Sequence, residues 1–219
     1  LDDLSNFFPA NYWSKTDRGI TFPASPNADR GLTYLRSVEP FLPTEIVLDI
    51  RANLRDREVI CTWIGNNIER VNAKLRDYVT ACDRCFHPED RQPVQIFATP
   101  LPNGCGLDGV CNLDARPVTI LVDVGRVPPS DWLSLVVHEY THAHLGKPGH
   151  DRVFADTLSH LCLGLGLEPP RELSEASLRS FPPYRSLFDP LTFWRGEDSE
   201  ELRIEDDSTP NSPLPAKSE

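Results

Sequence analysis

The chain contains no methionine, and no apolar run in it approaches the roughly 18 residues that a membrane-crossing helix needs. The second absence excludes a helical membrane span. The first, with a start at Leu1, is expected if a presequence has been removed or the N-terminus trimmed. Positive charge is scarce as well: 22 Lys and Arg stand against 33 Asp and Glu, for a formal net charge of −11. The stretch from Gly196 to Glu219, with eight acids and two bases, holds −6 of that total. Neither part of the chain offers a basic face to a phosphate backbone, which argues against nucleic acid as a partner. Internal repeats are missing too. What is left, 219 residues of ordinary composition, suits one well-buried domain.

Three regions differ in pattern. Residues 1–42 are rich in Pro, Asn, Asp and aromatics without a sustained period, and read as an irregular wrap with Phe7, Phe8, Tyr12 and Trp13 docked on the core. Residues 43–195 carry the periodic segments. Residues 196–219 are acidic, Ser/Pro-rich and aperiodic, and are expected to form a disordered tail that cannot bury enough apolar area to fold.

Within the middle region, Ile60, Ile64, Ile68, Val71, Leu75 and Val79 recur at steps of three and four. That spacing predicts one long amphipathic helix from about Asp56 to Ala81. Val94–Thr99 and Val118–Val124 are β-prone runs near prolines and predict strands, with a Gly- and Asp-rich loop between them. Pro128-Pro129-Ser130 announces a helix with Ser130 as its N-cap. Trp132, Leu133, Leu135, Val136 and Val137 make its first turns apolar nearly all round, so it is buried, and Gly146 and Pro148 stop it. A further helix follows from about Asp151, with Phe154, Leu158, Leu161 and Leu165 as its core stripe.

The buried helix carries His138-Glu139-Tyr140-Thr141-His142, the HExxH pattern. Residues four apart on an α-helix differ by about 40° and lie one turn apart, so two imidazoles so placed can bind one zinc ion. Glu139 is rotated by about 100° from His138 and sits beside such an ion. There its carboxylate can take a proton from zinc-bound water, whose pKa the metal lowers toward ~7. Ionisable groups in an apolar helix are costly to bury unpaired, which favours a metal site over unrelated core residues. The third ligand is open on spacing alone. His144 is turned roughly 240° from His138 and faces away from the pair. His150, after the Gly146-Lys147-Pro148-Gly149 turn, is favoured, with Asp151, Asp156 and His160 in reserve.

The stretch HEYTHAHLGKPGHDRVF, from His138 to Phe154, resembles the zincin-type metallopeptidases and most closely their SprT-like branch. Proteins of that branch follow the HExxH helix with a short turn, a Gly-His and a nearby Phe, as Gly149-His150 and Phe154 do here. The metzincin spacing is not matched, since Leu145 and Pro148 stand where that subfamily has Gly and His. The resemblance covers less than a tenth of the chain. It implies one catalytic Zn2+ held by His138, His142 and His150, Glu139 as general base, and a protein or peptide substrate. For residues 43–195 we expect a zincin-like α+β catalytic domain. A small, mostly antiparallel sheet would pack on the long helix, with the HExxH helix beneath it. Tyr184 is the candidate oxyanion partner. Two alternatives share the histidines: a YbeY-like endoribonuclease, which generally lacks the glutamate, and a non-catalytic module stabilised by zinc.

Four of the six cysteines, Cys82, Cys85, Cys105 and Cys111, crowd around loops. As disulfides they would staple those loops; as thiolates they would hold a second, structural zinc. Bridges are the expectation, because the Cys105–Cys111 gap is wide for a zinc knuckle. With the even count and the missing start, they lean toward an oxidising, secreted or extracytoplasmic setting, the cytoplasm being the alternative. Cys61 and Cys162 read as plain buried thiols.

Overall fold

The computed structural model describes residues 25–43, 54–101, 106–183 and 189–197. Residues 1–24, where the aromatic docking was expected, and residues 198–219 of the expected tail lie outside them. The first element, helix α1 (Pro26–Val38), corrects the reading of residues 1–42 as wholly irregular. Pro26 opens it at a position where a missing N–H costs nothing, and Ala28, Leu32, Leu35 and Val38 form its buried face. That face meets α2 (Leu54–Arg84), the long helix that the periodicity predicts. The two helices approach backbone to backbone. A Cβ placed at Gly31 would fall 1.9 Å from the Cys61 carbonyl oxygen, and one at Gly65 would fall 1.9 Å from that of Asn27.

The predicted stripe of α2 is the spine of the core. Ile60, Ile64, Ile68, Val71, Leu75 and Val79 are all buried, each worth about 1.5–3 kcal/mol in apolar transfer when fully covered. Helix α2 packs on β1 (Val94–Ala98), the first strand of a three-stranded sheet. The others are β2 (Gly109–Asn112) and β3 (Val118–Val122), in the order β1-β3-β2. Strand β1 runs parallel to the central β3, in register Val94↔Val118, whereas β2 runs antiparallel to it, Gly109 facing Val122. The sheet is therefore mixed rather than mostly antiparallel. The cause is the unpredicted strand β2: the chain leaves β1, crosses to the far edge, and only then returns through the middle as β3.

Past β3 the chain is tied down by Asp123, a buried carboxylate. It accepts hydrogen bonds from Leu101 N (2.8 Å), Gly125 N (3.1 Å), Arg126 Nε (2.9 Å) and Trp194 Nε1 (2.7 Å). Burial still pushes its pKa up to about 6 against those partners. Helix α3 (Trp132–Leu145) carries the HExxH residues and packs on α2, β2, β3 and α4 (Arg152–Gly164). Its N-cap is Asp131 and not Ser130, because a 3₁₀ turn over Pro129–Asp131 takes up the residues before it. Two short helices follow, α5 (Glu175–Arg179) and α6 (Leu191–Trp194). The second sets Phe193 and Trp194 against Trp63 of α2, at ring separations of 4.7 and 5.6 Å.

Candidate metal centre

Helix α3 is apolar on nearly every side, which is why it is buried from Leu135 to Ala143 and why its polar residues have to face one another or a cavity. His138 and His142 lie one turn apart on the wall of a cavity of about 580 Å³. Gly146 ends the helix in the left-handed conformation, φ 62°. The chain then doubles back. Its return is held by the His142 Nδ1–H, which donates to the Lys147 carbonyl at 3.0 Å, and by Asp151, whose carboxylate caps α4 at Phe154 N. An exposed Lys147–Asp151 ion pair spans the same turn and adds little. His150, one residue before the cap, is thereby aimed at the other two histidines.

The three imidazoles meet through one face. Nε2 of His150 stands 3.2 Å from Nε2 of His138 and 3.2 Å from Nε2 of His142, and the three donor atoms all lie within 4.8 Å of one another. Tetrahedral ligation with zinc–nitrogen bonds of 2.0–2.1 Å puts donor nitrogens about 3.3–3.4 Å apart, close to what is seen. The donor set also suits a metal chemically. The bond to Lys147 places the His142 proton on Nδ1 and leaves Nε2 a bare lone pair. Burial, then His142 and His150, holds the His138 pKa down to about 3, and burial above all holds His142 down to about 4. Burial and Arg179 lower His150 as well. All three are neutral at pH 7, the form in which imidazole ligates. Phe154 of α4 backs them, its ring 5.2 Å from that of His138 and 4.6 Å from those of His142 and His150.

Glu139 faces the same cavity from the side toward β2, with Asp108, Gly109 and Cys111 around it. Burial, and next the Asp108 charge, push its carboxyl up to about 8. A carboxylate whose pKa lies this close to neutrality can both accept and return a proton, and a nearby dication would favour its charged form. The opposite wall comes from α5 and the turn after it, through Arg179 and Phe181.

The structure thus brings together His138, Glu139, His142 and His150. It sets the others apart. His144 stacks on Phe86 with ring centroids 3.8 Å apart, and His160 hydrogen-bonds the Cys85 carbonyl. Asp151 caps its helix, and Asp156 pairs with Arg152 on the surface. Tyr184 lies outside the described residues. Tyr140, inside the motif, turns away and donates a short hydrogen bond to Asp83.

The cysteine expectation is corrected. Cys82, Cys85, Cys111 and Cys162 are free thiols, while Cys105 lies outside the described residues. Cys82 and Cys85 stay together at the end of α2, but Cys111, close to them in sequence, lies on the edge strand β2. Cys82 is buried near the end of α2, and Cys85 just beyond that helix packs at Gly164 of α4. Cys111 sits on the edge strand facing Glu139, where burial and that charge raise its thiol pKa and keep it protonated. Among the described residues no bridge joins Cys82, Cys85 and Cys111, and the His138–His142–His150 group is the metal-competent cluster.

Spacing arguments did not single out Asp108, Gly109 or Arg179, which reach the site from a strand edge and a short helix distant in sequence. No protein-family model, curated protein or solved structure matches the chain.

Proposed function

We propose that this protein is a zinc-dependent hydrolase of peptide bonds, with a zincin-like catalytic domain. The metal is held by His138, His142 and His150, and Glu139 is the general base. One observation carries the reading: three neutral imidazole nitrogens converge on the wall of a cavity that a buried carboxylate also faces. Three nitrogen ligands with the cavity on their open side form a catalytic rather than a closed structural set, and imidazole donors favour zinc. When bound, zinc supplies Lewis acidity, activating water and polarising the carbonyl under attack.

The chain's own residues supply the rest. The Lys147 carbonyl fixes the tautomer of His142, and Phe154 holds the three rings in place. Glu139 accepts the proton of the attacking water and passes it to the departing amine, a task matched to its raised pKa. Val110, Leu135 and Phe181 give the cavity an apolar lining that suits an apolar side chain beside the scissile bond. A peptide substrate is favoured by the SprT-like stretch and by the acidic charge of the chain, which repels nucleic acid.

Glu139→Gln tests this reading. The variant is expected to keep the fold and one zinc per chain, yet lose about 10²–10⁴-fold in peptide hydrolysis, because an amide cannot take the proton. Elemental analysis and a peptide-cleavage screen on both proteins decide it. No uptake of zinc by the native chain, or a Glu139→Gln variant at the native rate, refutes the proposal.

A further inference from the structure

Gly109 is a glycine at the first position of strand β2, and glycine in a strand often marks the close approach of another group. Its backbone does not require it, since its φ is outside the left-handed region that the other side chains avoid. What singles it out is space. A Cβ built at Gly109 would fall 2.8 Å from Oε1, 2.9 Å from Cγ and 3.1 Å from Cδ of Glu139. The end of the glutamate side chain thus occupies the notch that the missing side chain leaves.

Neither wall of that notch can easily retreat. Strand β2 is paired to the central strand, with Gly109 opposite Val122, and the preceding residue is held where Asp123 N donates to the Asp108 carbonyl at 2.8 Å. Helix α3 is itself packed through fully buried Val136 and Tyr140 beside Glu139. The part free to move is the Glu139 side chain itself. We infer that Gly109 is a positioning residue: the bare backbone of β2 sets where the Glu139 carboxylate stands relative to the three histidines. The inference rests on the hydrolase reading for its effect on catalysis, though not for the steric contact.

An alanine methyl reaches ordinary contact, roughly 3.5–4 Å, only if the carboxylate moves by about half to one ångström. Displacements of that size in a reacting group cost on the order of 10²-fold. Gly109→Ala is therefore expected to lower kcat about 10- to 100-fold with zinc content unchanged. A melting cycle on the full zinc-loaded chain, with Gly109→Ala, Glu139→Ala and the double variant, supplies a readout independent of activity. Gly109→Ala is expected to lower Tm by several degrees in the native background and hardly at all beside Glu139→Ala, which removes the atoms it meets.

An equal Tm loss in both backgrounds would place the clash elsewhere and overturn the inference. So would a full kcat in Gly109→Ala alongside an inactive Glu139→Gln, an outcome that leaves the hydrolase reading standing. If the native zinc protein cleaves no peptide, the hydrolase reading falls instead. The melting cycle then still decides whether Gly109 sets the place of Glu139.

Discussion

Phe154 offers the most informative single substitution, because it touches all three histidines and can ligate nothing. It is fully buried, with its ring 4.6–5.2 Å from each imidazole. Phe154→Ala should act twice. Losing the ring and leaving a cavity costs about 3–5 kcal/mol, a large share of the ~5–15 kcal/mol that holds a domain folded. At about 2–4 °C per kcal/mol for a chain of this size, the midpoint falls by roughly 6–20 °C. The imidazoles also lose their backing, and groups that orient ligands are worth about 10–100-fold in metal affinity, or roughly 1.4–2.7 kcal/mol. A ligand that binds only the native state stabilises it by RT ln(1 + [L]/Kd), about 4.1 kcal/mol at 1,000 times Kd. At the same zinc concentration the variant should gain less by that 1.4–2.7 kcal/mol. Thermal melts of metal-stripped native, Phe154→Ala and Phe154→Leu protein, with and without zinc, read both effects, and the leucine should fall between. If alanine lowers the metal-free midpoint but zinc raises it by the native increment, Phe154 only fills space and does not organise the ligands.

Zinc retention should follow the depressed histidines. A lowered pKa favours the neutral, ligating imidazole in acid, and all three histidines are lowered, so zinc is expected to stay bound below the ordinary histidine value and to be fully lost as the pH falls through about 4 toward 3, where His142 and His138 protonate. Dialysis at stepped pH with elemental analysis checks this, and half-release near the ordinary histidine value of about 6.5 with the fold intact by circular dichroism refutes it. Denatured without reductant, the chain should titrate with at least four thiols, from Cys82, Cys85, Cys111 and Cys162. A smaller count means that a bridge forms among residues described as free.

How far the sequence could be read depended on the distance over which each feature is decided. Helix α2 is legible because its stripe repeats from Ile60 to Val79, so every turn states the same buried face. Helix α1 states its face only four times, at Ala28, Leu32, Leu35 and Val38, amid proline and polar residues, and it is stabilised by the glycine-mediated contact with α2 that no local pattern announces. Strand β2 is harder still. Its four residues begin with glycine and are mostly half-buried, and only pairing with β3 makes them a strand.

The same division runs through the site. His138 and His142 are one helical turn apart, and His150 is delivered by a turn whose Gly146 and Asp151 both declare themselves, so the three candidate ligands are decided within thirteen residues. The place of the Glu139 carboxylate is not. It depends on a glycine thirty residues earlier and on a sheet register that involves Val122. The cysteine cluster failed for the converse reason: Cys111 is near Cys82 and Cys85 along the chain, but those two stay at the end of a helix while Cys111 goes to an edge strand of the sheet. A motif read along one helix can thus nominate the atoms that hold a metal. Placing the Glu139 carboxylate beside them is a task of the whole fold, and substitutions at Gly109 should reveal it where substitutions at the three histidines cannot.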